Sequence, residues 1–338
     1  MSQTKSKIYK TDFPSLLQRY FCEYLLNQRN ASPETISSYR DTFRLFLRFS
    51  DQRFGKPPSS LTLDDFDAPQ VLAFLDALES QRHISVRSRN ARLAAIRSFL
   101  RYAALQDPTA LASISRTLAI PVKRFDRVPV SYLSREEVSA VLDAPDRTSW
   151  SGHRDAVMLA TMYNTGARVS EIINLNVDDL QFGSTAKLHI RGKGRKERVV
   201  PLWKGARHQL VDWLGRIDTT VGHPLFPGRH GRRLTRTGVR SRLDAALATA
   251  RQTCVSLQGR RVSPHLIRHS TAMHLLQTGF DITAIALWLG HEGTATTHMY
   301  VEADLTMKKR AIDKISMPAR RRRKLKLSDR LMEFLEKL

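Results

Sequence analysis

The stretch from Ser263 to Tyr300 reads SPHLIRHSTAMHLLQTGFDITAIALWLGHEGTATTHMY. His265 and Arg268 lie three residues apart in it. On a helix, residues at that spacing project side by side, so the imidazole and the guanidinium can converge on one small anion. Further along, apolar residues at helical spacing predict a second helix over Ile282 to Leu289.

Gly290 follows this predicted second helix and is a plausible residue to end it. His291 then lies just past a helix end, where a side chain can point into a cleft. Tyr300 comes nine residues after His291 and is within reach of the same place. Two imidazoles, a guanidinium and a phenol gathered in this way favour phosphoryl chemistry with tyrosine as the nucleophile.

Further candidates lie upstream of this stretch. Arg168 stands in the turn TGARVSE, residues 165–171, which leads into an apolar-periodic helix. Two short runs, Lys187 to Ile190 and Arg198 to Pro201, have the composition of strands. The link between them contains two glycines, which is typical of a hairpin turn, and Lys193 lies between those glycines.

These sequence motifs, in this order, resemble those of the tyrosine recombinases, the family of phage-type integrases, Xer-type resolvases and transposon integrases. The matching motifs are TGARVSE, RGKGRKE, PHLIRHS and LGH, followed by the tyrosine nine residues beyond the histidine of LGH. The resemblance is clear over residues 132–315 and looser over 13–111. It implies a catalytic set made of Arg168, Lys193, His265, Arg268, His291 and Tyr300.

The resemblance also implies a role for each of these residues. Arg168 and Arg268 would neutralise the charge that develops on the oxygens of a DNA phosphodiester. Tyr300 would attack the phosphorus, and His265 would carry out proton transfer at the tyrosine oxygen. His291 would hydrogen-bond a non-bridging oxygen, and Lys193 would give a proton to the departing 5′ oxygen.

Glu171 stands one helical turn after Arg168. It could orient Arg168 or His265 from behind, although an ordinary glutamate on a helix surface fits the pattern as well.

Composition points to a polyanionic partner. The chain has 338 residues and a net charge of +23, which favours nucleic acid over an anionic membrane surface. There is no apolar run long enough to span a membrane and no secretory signal at the first residues. Two cysteines cannot build a disulfide framework or a cysteine-type zinc site. These features fit a reducing cytoplasm, and together with the resemblance they lead us to expect a cytoplasmic, nucleoid-associated bacterial protein.

We expect a mainly α fold with a small β-hairpin or sheet, arranged as a two-domain DNA clamp. Capping signals, apolar periodicity and proline-containing breaks divide the chain. The predicted parts are a flexible start (1–12), a helical core-binding domain (13–113), a linker (114–131), the catalytic domain (132–318) and a basic tail with a short helix (319–338).

Two helices of the predicted N-terminal domain carry arginines beside their apolar stripes. A solvated basic face is one interpretation. Because the resembled family clamps DNA with this domain, we expect phosphate contacts from some of these side chains: Arg40, Arg44, Arg89, Arg92 and Arg97.

The last twelve residues, 327–338, form an amphipathic pattern after a dense basic run. A helix this short is marginal in water, so its apolar side needs a surface. The resembled family docks a C-terminal segment on a neighbouring subunit, so the resemblance implies the same here, and docking on its own subunit is the alternative. Since four strands must be exchanged, the expected working form is a homotetramer on double-stranded DNA recombination sites.

Several other patterns have weaker interpretations. His265 and His269 have a metal-like spacing, but the glutamate of a zinc motif is missing. We therefore predict no metal and expect His269 to lie against the core. The acidic pairs Asp64–Asp65 and Asp178–Asp179 lack a third carboxylate in a recognisable motif. The rivals of the proposed lysine and tyrosine are Lys196, Tyr132 and Tyr163.

The predicted function is site-specific DNA recombination through a 3′-phosphotyrosine intermediate and a Holliday junction, with no cofactor, metal ion or ATP. The length of the tail favours a mobile-element recombinase. Two alternatives remain open: an enzyme like type IB topoisomerases, which nicks and reseals one duplex, and a non-catalytic DNA-binding regulator with the same fold.

Overall fold

The computed structural model describes residues 12–125, 131–192, 196–291, 297 and 300. The chain separates into two compact units, Met1–Arg127 and Val128–Leu338. Most described residues are helical, and the strands form one small antiparallel sheet in the second unit. The predicted mainly helical fold with a small sheet is therefore confirmed.

The first unit is built from helices that begin at capping side chains. Asp12, Ser32, Asp67 and Ser85 each accept a hydrogen bond from a backbone N–H in the first turn that follows. The helices are α1 (Phe13–Arg19), which a π-helical stretch (Tyr20–Gln28) continues, α2 (Pro33–Phe54), α3 (Ala68–Arg82), α4 (Val86–Gln106) and α5 (Leu111–Leu118). Short 3₁₀ turns lie at Pro58–Ser60, Leu63–Phe66 and Pro108–Ala110.

Aromatic rings fill the core of the first unit. The ring of Phe99 on α4 is fully buried and has four ring neighbours at centroid distances of 5.3 to 5.8 Å, which are Phe13, Tyr20, Phe43 and Phe66. Most of these contacts are tilted or edge-on, as aromatic pairs prefer. The π-helical stretch is anchored in the same core through Tyr20.

The predicted linker begins too early. α5 covers residues 111–118, and Ile114 on it is 1% exposed because it completes the aromatic core. Beyond α5, Lys123 and Asn90 exchange two hydrogen bonds between backbone and side chain, of 2.8 and 3.1 Å. The chain up to this point therefore packs with the first unit, and residues 126–130 lie outside the described part.

Three of the five arginines predicted to contact DNA instead bind groups within the first unit. Arg89 is 4% exposed and its Nε lies 3.1 Å from a carboxylate oxygen of Glu79, so the prediction is wrong for Arg89. Arg92 donates to a backbone carbonyl of α2, and Arg97 donates to a carbonyl just beyond α5. The remaining two, Arg40 and Arg44, are exposed on α2. Their contact with DNA stays a prediction.

The second unit combines helices with the sheet. Its helices are α6 (Arg135–Asp143), α7 (Trp150–Thr165), α8 (Val169–Asn174), α9 (Lys204–Leu214), α10 (Arg236–Thr253), α11 (Pro264–Gln277) and α12 (Ile282–Leu289). Its strands are β1 (Leu180–Gln181), β2 (Lys187–Arg191) and β3 (Glu197–Pro201), and 3₁₀ turns lie at Val177–Asp179, Arg229–Gly231 and Val255–Leu257. None of the helices within the described ranges is both long and apolar enough to cross a bilayer.

The predicted hairpin is the β2–β3 pair. The two strands are antiparallel, with Leu188 opposite Val200 and Ile190 opposite Arg198. The first three of these side chains are fully buried, so this face of the sheet rests on the core of the second unit. The turn residues 193–195 lie outside the described part of the chain.

The ends of the elements follow the predictions unevenly. The helix end predicted at Gly290 is confirmed, since Gly290 is a left-handed C-cap. A capping box at Ser134 and Glu137 opens α6. α9 starts at Lys204 and ends at Leu214. The first turn of α9 has few apolar residues, so periodicity does not reveal it. The predicted tail, 319–338, lies outside the described residues.

α7 ends at Gly166, where the end of α12 approaches the backbone closely. Gly166 has φ +58°, and a Cβ atom there would lie 2.4 Å from Cδ2 of Leu289. Two requirements therefore coincide at this position: a left-handed conformation, which favours glycine, and room for Leu289.

Replacing Gly166 with alanine should destabilise the protein more than backbone strain alone. Gly259 in the same unit has φ +70°, and a Cβ atom added there would have no neighbour within 4 Å, so Gly259→Ala should cost only the left-handed penalty of about 1–2 kcal/mol. Gly166→Ala should add an overpacking cost of about 1–3 kcal/mol. Urea unfolding of the two variants measures the difference, and equal losses would contradict the close approach.

Candidate active site

Residues positioned by three helices of the second unit, α8, α11 and α12, lie close together. Arg168 precedes α8, His265 and Arg268 lie on α11, and His291 follows α12. Tyr300 packs against the same place, since it belongs to a buried cluster with residues of α11 and α12. Five of the six residues predicted as catalytic are therefore gathered by neighbouring elements. The sixth, Lys193, lies outside the described residues.

Arg268 connects two backbone turns. Its side chain is buried, and it donates from Nη1 to the carbonyl of Gly166 at 2.6 Å and from Nη2 to the carbonyl of Leu289 at 2.8 Å. Burial lowers the pKa of Arg268 to about 10, with further lowering from Arg168 and Arg198. The group still carries its charge at neutral pH, and a guanidinium has five N–H donors, so donors remain for an anion.

Glu171 holds Arg168 in place. One carboxylate oxygen accepts from Nη1 of Arg168 at 2.9 Å, and the other accepts from the backbone N–H of Arg168 at 2.8 Å. The carboxylate is 3% exposed, whereas a third of the Arg168 side chain remains accessible. The sequence leaves Arg168 and His265 as possible partners of Glu171, and the structure shows the contact with Arg168. Arg168 is fixed at one side and open at the other.

Arg198 is a residue of this cluster that the sequence analysis missed. It lies on β3, donates from Nη2 to Glu171 at 2.7 Å and from Nε to the carbonyl of Trp288 at 2.9 Å. The sequence contains a signal for it, because side chains two residues apart in a strand share a face. Arg198 is two residues from the buried Val200 and therefore points inward.

The surroundings of Glu171 shift the pKa of its carboxyl group. Burial alone would raise the pKa, but the hydrogen bond and charge of Arg198, together with the bonds from Arg168, lower it below the usual 4.5. The carboxylate is therefore ionised at neutral pH and offsets part of the charge of three guanidinium groups.

Tyr300 is 1% exposed, and its hydroxyl lies 2.8 Å from Nδ1 of His269. Burial raises the pKa of Tyr300, and the charges of Arg268 and Arg168 act in the opposite direction. The hydroxyl thus lies within the field of both arginines.

The ring of His291 also lies beside the tyrosine ring. The two rings are nearly parallel, at 14°, with their centroids 6.2 Å apart. Nδ1 of His291 is 2.8 Å from the hydroxyl of Thr297. Burial, followed by the charges of Arg268, Arg168 and Arg198, lowers the pKa of His291 to about 4. The imidazole is neutral at physiological pH and is a hydrogen-bonding group there, not a cation.

The histidine beside the tyrosine differs from the prediction. From the sequence, His265 is expected at the tyrosine oxygen and His269 is expected against the core. Both lie on one face of α11, but His265 is exposed and His269 is the one at hydrogen-bond distance from Tyr300. The path of the chain after Gly290 decides which of the two is reached, and helical spacing cannot reveal that path.

The rival tyrosines are occupied elsewhere. The hydroxyl of Tyr163 lies 2.7 Å from Nδ1 of His274, and the hydroxyl of Tyr132 accepts from Gln277 at 3.2 Å. Lys196, the rival lysine, is exposed at the end of the hairpin turn.

The acidic pairs also have structural partners. Asp65 contacts Lys56 at 2.7 Å. Asp178 accepts from the backbone of Gly222 at 2.9 Å, and Asp179 lies 2.8 Å from Arg191. In the described ranges, no group of three or more histidine, cysteine, aspartate or glutamate residues could hold a metal ion.

Removing the carboxylate of Glu171 should destabilise the second unit strongly, because Arg198 would be left buried without a counterion. We expect Glu171→Ala to cost about 3–5 kcal/mol. Asp244, which pairs with Arg240 at 2.9 Å on the surface, is the matched control, and Asp244→Ala should cost at most about 1 kcal/mol. Urea unfolding at neutral pH gives both values.

The stability that Glu171 contributes should depend on pH in a defined direction. Because the pKa of Glu171 is lower in the folded state than its usual 4.5, its contribution is complete above that pH and is lost as the pH falls through the folded value. The stability gap between wild type and Glu171→Gln should therefore shrink with acidification. A gap that is constant or grows as the pH falls would contradict the assignment.

The chain is similar to known proteins along most of its length. The sequence profile of the Phage integrase family matches residues 131–307, and that of the Phage integrase N-terminal SAM-like domain matches residues 18–107. The chain is 49% identical to "Putative integrase/recombinase y4rC" of Sinorhizobium fredii, over 96% of this chain and 97% of that protein. It is 33% identical to tyrosine recombinase XerC of Pelobacter propionicus, over 89% and 95% of the two chains.

Solved structures share the fold. The XerH site-specific recombinase bound to palindromic difH substrate has a TM-score of 0.68 at 20% identity, over 90% of each chain. The Tn1549 transposon integrase in complex with circular intermediate DNA has a TM-score of 0.66 at 14% identity, over 89% of this chain and 99% of that one. Taken with the two matching profiles, these likenesses show that the chain belongs to the phage integrase family, the tyrosine recombinases.

Proposed function

We propose that this protein is a site-specific DNA recombinase that cuts and rejoins DNA strands through a covalent bond between Tyr300 and a 3′ phosphate. The observation that supports this most strongly is the environment of the Tyr300 hydroxyl. It lies against α11, the helix that carries Arg268, and the charges of Arg268 and Arg168 both act on it. A phenol within the field of two fixed cations suits attack on a phosphodiester, whose transition state gains negative charge.

The two arginines would bind the non-bridging oxygens of the scissile phosphate. Arg168 is held by Glu171 and keeps an accessible side, and Arg268 keeps N–H groups beyond those that bind the two carbonyls. Because both guanidinium groups are positioned before the substrate arrives, little reorganisation is needed when the charge develops.

The remaining residues of the set would act around the same phosphate. His265 is exposed on α11, so it would contact the phosphate from the solvent side. His291 is neutral and would hydrogen-bond a non-bridging oxygen. Lys193 would protonate the departing 5′ oxygen, as the resemblance to the family implies.

The covalent link would conserve the energy of the broken bond, so a second 5′ hydroxyl can attack it and reseal the strand without ATP. Two such exchanges on paired duplexes pass through a Holliday junction and require four active sites. We therefore propose a homotetramer on DNA, with the tail at 319–338 docking on a neighbouring subunit, in a bacterial cytoplasm. The net charge of +23 supports a DNA partner.

We further propose that the protein serves a mobile element. One relative is named an integrase/recombinase, and one structure with the same fold is a transposon integrase in complex with circular intermediate DNA.

Tyr300→Phe should bind DNA as the wild type does but form no covalent adduct, since phenylalanine has no oxygen to attack the phosphorus. Fragments of the DNA that flanks the gene would be incubated with each protein, and adducts would be separated on denaturing gels. Tyr163→Phe removes another tyrosine hydroxyl, half-buried and bonded to a histidine, from the same unit and should still give the adduct. An adduct that persists in Tyr300→Phe would show that another residue is the nucleophile.

The same assay with two marked duplexes separates recombination from nicking and resealing. A recombinase yields four-way junctions and exchanged strands, whereas an enzyme like type IB topoisomerases returns each duplex to itself. Binding in both cases should weaken steeply with salt, because phosphate contacts release counterions.

A further inference from the structure

The hydrogen bond between Tyr300 and His269 is not used by any role assigned above. Nδ1 of His269 is 2.8 Å from the hydroxyl oxygen, and the two ring centroids are 5.6 Å apart at an angle of 60°. His269 lies on α11 next to Arg268, so the helix presents a cation and an imidazole from adjacent positions. The tyrosine oxygen thus has an imidazole nitrogen as its direct neighbour.

A tyrosine nucleophile needs a group that removes its proton. With an ordinary pKa near 10, roughly one phenol in a thousand is ionised at pH 7, and burial raises the pKa of Tyr300 further. A group that accepts this proton must lie within hydrogen-bond reach and must itself be unprotonated before the reaction.

His269 meets both conditions. Burial lowers its pKa, and the nearby His265 and Arg268 lower it further, so the imidazole is neutral at physiological pH. A neutral imidazole with its proton on Nε2 offers Nδ1 as an acceptor. The groups that face His269 are His265 and Arg268 from its own helix, and Tyr300 and His291 from the segment packed against it.

The other groups around the tyrosine are less suited. Nδ1 of His291 is engaged with Thr297, and its ring lies parallel to the tyrosine ring. The arginines are protonated and can only donate. Glu171 is ionised, but both of its oxygens already accept bonds from Arg168 and Arg198.

We propose that His269 is a catalytic residue that accepts the Tyr300 proton when a DNA strand is cut and returns it when the strand is resealed. The inference rests on the proposed recombinase function and assigns the proton acceptor within that site. In the forward step the Oη–H bond breaks and its proton moves to Nδ1, while the Oη–P bond forms. The P–O5′ bond breaks, and Lys193 protonates the departing oxygen.

The environment also accounts for the return of the proton. An imidazolium at position 269 lies beside the cationic Arg268 and is partly buried, so the charged form is disfavoured. When a 5′ hydroxyl attacks the phosphotyrosine, His269 gives the proton back to the leaving phenol oxygen. One residue therefore serves both directions of a reversible strand transfer.

The test combines substitutions of His269 with a more acidic tyrosine analogue at position 300. His269→Gln keeps a hydrogen-bond acceptor near the hydroxyl but cannot take a proton, and His269→Ala removes the contact. On a nicked suicide substrate from the flanking DNA, both should form adduct about 100- to 10,000-fold more slowly than wild type at neutral pH. Incorporating a fluorinated tyrosine at position 300, which ionises more readily, should restore most of the lost rate.

Two controls make the result specific. His274 lies on the same helix and forms the same kind of Nδ1 bond to a tyrosine, Tyr163, at 2.7 Å, so His274→Gln should form adduct close to the wild-type rate. Arg168→Ala should lose activity that the fluorinated tyrosine does not restore, because Arg168 provides charge and does not accept a proton. DNA affinity and melting temperature show that each variant is folded.

The outcomes separate the inference from the function on which it rests. A wild-type protein that forms no adduct on any flanking DNA would overturn the proposed function. A wild-type protein that forms adduct, together with folded His269 variants that match or exceed its rate, would overturn the role of His269 only. A slow rate that the fluorinated tyrosine leaves unchanged would overturn it as well.

Discussion

The last turn of α12 is held by two guanidinium groups, and the geometry of the site depends on those bonds. A helix end leaves backbone carbonyls without donors from within the helix. Here Arg198 donates to the carbonyl of Trp288, and Arg268 donates to that of Leu289. Cations suit this position because the C-terminal end of a helix carries partial negative charge. A strand, two helices and the turn at Gly166 are thereby fixed relative to one another.

This arrangement places three guanidinium groups around one carboxylate. Glu171 is bonded to two of them, and burial, followed by the charges of Arg168 and Arg198, lowers the pKa of Arg268 to about 10. The cluster therefore keeps an excess of positive charge in the absence of a ligand. Such an excess opposes folding, because like charges repel, and it is the property that a phosphodiester with developing charge requires.

Much of this organisation could be predicted from the sequence. Capping residues such as Ser32 and Ser134 mark their helices through local chemistry, and the hairpin follows from two strand-like runs around glycines. The residues proposed as catalytic come from motif order and spacing. These features depend on neighbours a few positions away in the chain, so the sequence alone contains them.

The remaining features depend on packing between distant segments. A helical pattern shows arginines beside an apolar stripe, but it cannot show that Arg89 turns inward to Glu79. Arg198 could have been placed on the inner face of its strand, yet its partners come from α8 and α12. The choice between His265 and His269 requires the position of Tyr300, which lies more than thirty residues further along the chain.

The 1% exposure of Tyr300 has a consequence for the protein while it is free of DNA. An oxygen beneath the surface is shielded from small electrophiles in the surrounding solution. It is equally shielded from a duplex, since a phosphorus atom must come within about 3–3.5 Å of the attacking atom. If Tyr300 attacks DNA as proposed above, part of the free energy gained on DNA binding would be consumed in uncovering the hydroxyl.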